Sequence, residues 1–347
     1  MEDETVKLIR NTTRAFQQLS RQQNREVVND GNRRFSFMNI GPGGVEDIAE
    51  KLKTKTSVSS QQLEFLKNVL LTDPDHLETV LSTPGALRRL VKELTGHDIR
   101  KQSAALGCLC NLALTDEKGC KAITKQAGPY LVTTLDSYCK DLAVSSIWTL
   151  GNLAGSGPVV CELLISQGAL TKLIQLLQHG DEEMHSAAIY ALEHFAHQLK
   201  DDLSSQHLEK LLQGLARNIT MWSAQVIFTL SCHKDFLEHV PKDFHLKILD
   251  VIPYAMVSHF SHCKNHYTTK FCCKLIYLFR ILANMDPAKI YAAVLDKFLE
   301  PSFSNVYHKL FQDLAIGNSL LWLLGNLYNH NSDHVFFQGL LNEKCIT

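Results

Sequence analysis

The chain has 347 residues, of which 45% are hydrophobic, 20% charged and 8% aromatic. That is too much apolar material for intrinsic disorder and enough for a large core. Lys and Arg total 35 against 36 Asp and Glu, a net charge of −1, so no chain-wide basic field for nucleic acid is expected. The length allows two or three globular domains or one extended array.

The start, MEDETVKLIR, is acidic and has no apolar core segment, so it does not read as a secretory signal. Residues 4–28 contain no Pro or Gly and form a basic amphipathic pattern. At 100° per residue Lys7, Arg10, Arg14, Arg21 and Arg25 fall on one side, and Leu8, Ile9, Phe16, Leu19 and Val27 on the other. The spacing predicts a basic helix or arm over 1–35, a linker over 36–44 and a hinge at GPGG 41–44. Such a face fits a solvated tail, a partner-binding arm, or a membrane-surface or calmodulin-like segment.

From 45 to 347 the chain repeats itself. The blocks QSAALGCLCNLAL, AVSSIWTLGNLAG, HSAAIYALEHFAH, SAQVIFTLSCHKD, CKLIYLFRILANMD and GNSLLWLLGNLYN align at Asn111, Asn152, His194, Cys232, Asn284 and Asn326. The period is about 42 residues, with one insertion of about ten between Cys232 and Asn284. Each block has the three-to-four apolar spacing of an amphipathic helix, followed by a polar break and a second helix. Gly-Ala recurs as a bend in STPGALRRL and ISQGALTKL. A weaker unit at 44–72 reads as an N-terminal cap. This period with two or three helices per unit is the signature of armadillo or HEAT repeats, and the fold expected is an all-α armadillo-repeat solenoid, a right-handed superhelix of about six to seven repeats with a concave groove.

Within that period Trp148 and Asn152, and again Trp322 and Asn326, are spaced i and i+4, on one helix face. An Asn side chain can clamp the backbone of an extended peptide, and indole faces attract Lys or Arg. Singly, each residue fits a core or helix-cap role; two pairs in phase set a peptide-reading ladder level with that role. The corresponding places elsewhere are Gly107 and Asn111, Tyr190 and His194, Phe228 and Cys232, and Arg280 and Asn284.

The stretch VLSTPGALRRLVKELTGHDIRKQSAALGCLCNLAL and the following SSIWTLGNLAGSGPVVCELLISQGALTKLIQLL resemble the importin-α family of nuclear import adaptors, as does LLWLLGNLYN. The likeness runs over roughly 44–342 and is thin around 200–275; the divergent transmembrane-and-coiled-coil-domain relatives are similar too. The resemblance implies binding of basic nuclear localisation signals, with cargo proteins as partners and residence in cytoplasm and nucleus. It implies contacts from Trp148, Asn152, Trp322 and Asn326, with Asn111, Tyr190, His194 and Asn284 secondary. It makes Lys7, Arg10, Arg14, Arg21 and Arg25 an arm for importin-β, although that arm is less basic than the family's. The acid that the family places after the second-repeat Asn is Ser156 here; Asp116, Glu117 and Glu193 are the nearest substitutes. Binding weaker than the family's, or of shifted preference, is therefore expected. A scaffold of the same fold without transport is the alternative.

The remaining patterns are quieter. Ten cysteines sit mostly in apolar helical patterns, as buried reduced thiols do. His259, His262, Cys263, His266, Cys272 and Cys273 crowd the insertion without the spacing of a standard zinc site, and Pro253 with SHCKNHYTTK suggests a loop. No metal or cofactor is expected. Phe271–Met285 and Leu314–Leu327 are too short and interrupted to span a membrane. The nucleophile elbow, P-loop, dinucleotide fingerprint and His-Glu-x-x-His are all missing, so an enzyme is not expected.

Overall fold

The computed structural model describes residues 44–330 except 55, 179, 201, 221, 263–268, 301–302 and 304–306; side chains are further excluded over 258–274, at 299 and at 307–308. The basic arm and the linker up to residue 43 lie outside the described residues, as does everything after 330. Among the described residues the secondary structure is helical, without a strand. The chain divides into two compact units, Met1–Leu173 and Ile174–Thr347.

The first unit holds α1 (Val45–Lys53), α2 (Ser60–Val69), α3 (Pro74–Ser82), α4 (Ala86–Leu94), α5 (Ile99–Leu112), α6 (Glu117–Thr134), α7 (Lys140–Ala154) and α8 (Pro158–Ser166), and most of α9 (Ala169–Leu176). Helix starts follow local chemistry. Ser59 and Gln62 form a capping box on α2, and the side chains of Asp73, Asp98 and Asp116 accept backbone N–H bonds at the starts of α3, α5 and α6. The Gly-Ala bends are confirmed: Gly85 and Gly168 adopt φ of 82° and 87° ahead of α4 and α9, a region open to glycine at little cost. The matching Gly128 lies instead inside the unbroken α6, and a Cβ there would run into the carboxamide of Gln167.

Packing explains why these helices need neighbours. In α4, Leu87, Leu90, Val91 and Leu94 are buried on one face, while Arg89 and Glu93 pair at 2.9 Å. In α5, Leu106, Leu109 and Leu112 are wholly buried, at about 1.5–3 kcal/mol for each Leu removed from water. α2, α5 and α7 pack in succession, α2 on α5 and α5 on α7. Burial pushes the Cys108 and Cys161 thiols far above their ordinary range, so both stay protonated and inert.

The second unit continues with α10 (Glu182–Gln198), α11 (Ser205–Leu215), α12 (Ala224–Ser231), α13 (Phe236–His239), α14 (Phe244–His262), α15 (Thr269–Ala283), α16 (Pro287–Leu299), α17 (Tyr307–Leu310) and α18 (Leu314–His330). Here α10 packs on α12, α12 on α15, and α15 on α18. The loop expected from Pro253 and SHCKNHYTTK is corrected at the proline, where α14 runs for 19 residues straight through to His262; residues 263–268 lie outside the described residues, and α15 begins at Thr269. Buried Phe244, Ile248, Leu249, Ile252, Ala255 and Met256 hold α14 helical across the break in its hydrogen-bond ladder. The side chains of the His/Cys cluster at 259–273 lie outside the described residues. Among the described residues no group of three or more His, Cys, Asp or Glu could hold a metal, and no single helix is long and apolar enough to cross a membrane.

Three histidines of the second unit, His185, His197 and His207, are held below the ordinary value of 6.5, chiefly by burial; Lys200 and Lys210 add to the effect at the last two, while Glu182 opposes it at His185. Each binds protons less readily folded than unfolded. Their contribution is therefore complete above 6.5 and is lost as pH falls below it. Denaturation of the full chain followed between about pH 7.5 and 5.5 should show a falling midpoint on acidification. A midpoint that rises on acidification would contradict this assignment.

Candidate functional site

The aligned asparagines do not simply face outward. The C-terminal carbonyls of any helix lack partners from the next turn. At the end of α2, the carbonyls of Leu66, Asn68 and Val69 take the N–H groups of Leu70, Leu71 and Thr72. The remaining carbonyl, that of Lys67, accepts from Asn111 Nδ2 of the next unit at 2.6 Å. The end of α5 repeats the arrangement: Leu109, Asn111 and Leu112 are satisfied locally, and the Cys110 carbonyl accepts from Asn152 Nδ2 at 3.2 Å. In the second unit Asn326 Nδ2 donates to the Ala283 carbonyl at the last residue of α15, 2.9 Å away. Asn284 Nδ2 reaches Ser231 Oγ at 2.9 Å where Cys232 replaces an asparagine.

Each of these asparagines therefore fastens its helix to the matching helix one unit earlier. The rule also places Asn68 in the same series as Asn111, which makes 44–72 a ladder unit. The signal was present in the sequence: EFLKN aligns with GCLCN, 43 residues apart by the numbering of Asn68 and Asn111.

The carboxamides differ in access. Asn111 is 6% exposed and Asn152 2%, while Asn284 and Asn326 are half-buried. Trp148, four residues before Asn152, is half-buried, and Trp322 is 65% exposed. Tyr190 and His194 meet edge to face with centroids 4.8 Å apart, and His194 is 7% exposed.

Phe228 stacks on Tyr277 of the next ladder helix at 5.3 Å, and the Arg280 guanidinium lies 5.9 Å from the Phe228 centroid. Arg280 Nε also donates to Ser319 Oγ of α18 at 3.3 Å. Tyr277 and Ser319 were not singled out in the sequence. Both lie three residues before a ladder position, one helical turn away, which is the signal that could have found them. In the first unit, Asn111 and Asn152 share the series α2–α5–α7; in the second, Phe228, Arg280, Asn284, Trp322 and Asn326 share α12–α15–α18.

Of the acids suggested by the sequence, Asp116 and Glu117 lie at the start of α6. Asp116 accepts from Gly119 N at 2.8 Å as the cap of α6. The Glu117 carboxylate lies against Gly157, where a Cβ would be 3.0 Å from it. Ser156, at the place of the family acid, donates to the Leu153 carbonyl at 2.7 Å.

These helices, their period and their inter-unit carboxamides define an all-α armadillo-repeat protein. Residues 159–197 match the armadillo/β-catenin-like repeat. More particularly, the sequence resembles importin α subunits at low identity. Over 135 residues, 38% of this chain, it is 31% identical to importin subunit alpha-2 of Arabidopsis thaliana; over 185 residues, 52% of the chain, it is 28% identical to importin subunit alpha-1b of Oryza sativa subsp. japonica. These matches span only 25% and 33% of those relatives' own lengths. An engineered protein of known crystal structure shares the fold, with a TM-score of 0.61 at 20% identity over 82% of this chain and 68% of its own.

The inter-unit bond yields a direct expectation. Asn152→Ala strips the Cys110 carbonyl of its cross-unit donor and should cost about 1–3 kcal/mol. Asn152→Asp sets a carboxylate against that carbonyl and should cost more at neutral pH. Urea denaturation checks both; an alanine variant as stable as the parent would remove the bond from the structure's support.

Proposed function

We propose that this chain is an adaptor that holds extended basic peptides on its ladder faces, a divergent counterpart of the nuclear import adaptors it resembles. The carrying observation is Trp322. It is 65% exposed on α18, one helical turn before an asparagine whose own amide is fixed to the preceding unit. An indole so placed offers its π face to a Lys or Arg, at about 0.5–2 kcal/mol. Trp148 occupies the same ladder place in the first unit. Tyr190 supplies a smaller aromatic face beside His194.

Asn284 and Asn326 remain accessible enough to meet a peptide backbone. Asn111 and Asn152 take part chiefly through the helices they hold in register, with little carboxamide surface left for a ligand. The importin-β arm, residues 1–35 with Lys7, Arg10, Arg14, Arg21 and Arg25, belongs to the same proposal, as does movement between cytoplasm and nucleus. The armadillo match and the importin α likeness support the reading. A scaffold without transport is favoured by the broken places in the series: Gly107, Cys232, and Arg280 lying over Phe228. Binding of purified importin-β to the full chain separates the two.

Fluorescence anisotropy with a labelled Lys/Arg-rich peptide tests the ladder. Trp148→Ala and Trp322→Ala should each weaken binding by about two- to thirtyfold, the equivalent of one lost cation–π contact. Unchanged affinity in both variants would contradict the proposal.

A further inference from the structure

Two rungs fix the register of the first unit. Asn111 donates to the Lys67 carbonyl and Asn152 to the Cys110 carbonyl. Lys67 thus corresponds to Cys110, and the ladder place of Trp148 is Gly107 on α5 and Glu64 on α2. At Gly107 there is no side chain, yet the space is filled. A Cβ built there would stand 2.9 Å from Lys67 Cγ and closer still to Cδ. The methylene stem of Lys67 therefore lies flat on the Gly107 backbone. Its ammonium is ion-paired with Glu64, one turn back on the same helix. Where α7 carries an indole, α5 is covered by a lysine from its neighbour, and the one carboxylate at a ladder place of this unit is already neutralised.

We propose that Lys67 is a built-in occupant of the step next to Trp148. It fills the slot that a basic side chain of a bound peptide would enter, and it withholds the Glu64 carboxylate from that peptide. The inference rests on the basic-peptide reading above and adds to it an acidic subsite, Glu64, gated by the chain's own cation. Gly107 is what makes the gate possible, since any side chain there would push the lysine aside. The gate is easily opened. A part-exposed i,i+3 ion pair is weak, and a peptide lysine delivers the same charge to the same carboxylate.

Anisotropy titration of a labelled Lys/Arg-rich peptide tests this on the full chain with Lys67→Met, which keeps the stem and removes the charge. Lys67→Met should bind roughly two- to fivefold more tightly than wild type, the range of a part-exposed ion pair. Adding Glu64→Gln should return the affinity to that of wild type. Lys53→Met is the control for net charge, because Lys53 forms the same kind of pair with Glu50 at 2.9 Å on α1; it should change nothing. If Lys67→Met fails to tighten binding, or Lys53→Met tightens it equally, while Trp148→Ala still weakens it, the gate is wrong and the peptide surface stands. If neither wild type nor any variant binds, the peptide surface falls and the gate with it. Circular dichroism of each variant confirms that it is folded, as expected for part-exposed residues on α2.

Discussion

A helix that ends inside a stack leaves a carbonyl with no turn to bond it, and this chain meets that need with a carboxamide from the next unit. Lys67, Cys110 and Ala283 each present that leftover oxygen, and Asn111, Asn152 and Asn326 each supply the N–H. The bond is modest in net terms, about 0.5–1.5 kcal/mol, but leaving such a group buried and unpaired costs more. It also sets register. A helix slipped by one residue would lose both the bond and the fit of its buried leucines.

That constraint positions everything on the ladder face. With Asn four residues along the same helix, or His194 and Cys232 in its place at two of the steps, the side chain one turn earlier is carried to a repeated place beside the previous unit. The sequence varies what stands there: Glu64, Gly107, Trp148, Tyr190, Phe228, Arg280 and Trp322. Aromatic places offer π faces. The others are used internally, with Lys67 over Gly107 and Arg280 over Phe228. In each unit a cation of the chain itself lies on the ladder face, Lys67 in the first and Arg280 in the second, while Trp322 is 65% exposed.

Much of the fold was legible because the physics that makes it is periodic. The apolar spacing located the ladder helices, and Gly85 and Gly168 located bends at positive φ. Pro253 misled, since burial on both sides of it in α14 outweighs one missing hydrogen bond. The site was legible by position and less so by role. A sequence shows that Asn152 recurs in phase, and a carboxamide in a groove suggests a clamp for a ligand. It does not show that a carbonyl one unit earlier has first claim on the amide. Nor could it show Lys67 folding over Gly107, because the two come together only when α2 and α5 pack.

The most direct test of the ladder as a ligand surface uses its own indoles. Of the three tryptophans, Trp222 lies off the ladder, so Trp222→Phe leaves emission from Trp148 and Trp322 alone. Titrating an unlabelled Lys/Arg-rich peptide into that variant should produce a saturable change in tryptophan fluorescence, reversed by high salt. Emission that stays constant while the peptide demonstrably binds would place the ligand elsewhere on the chain and contradict the ladder's role.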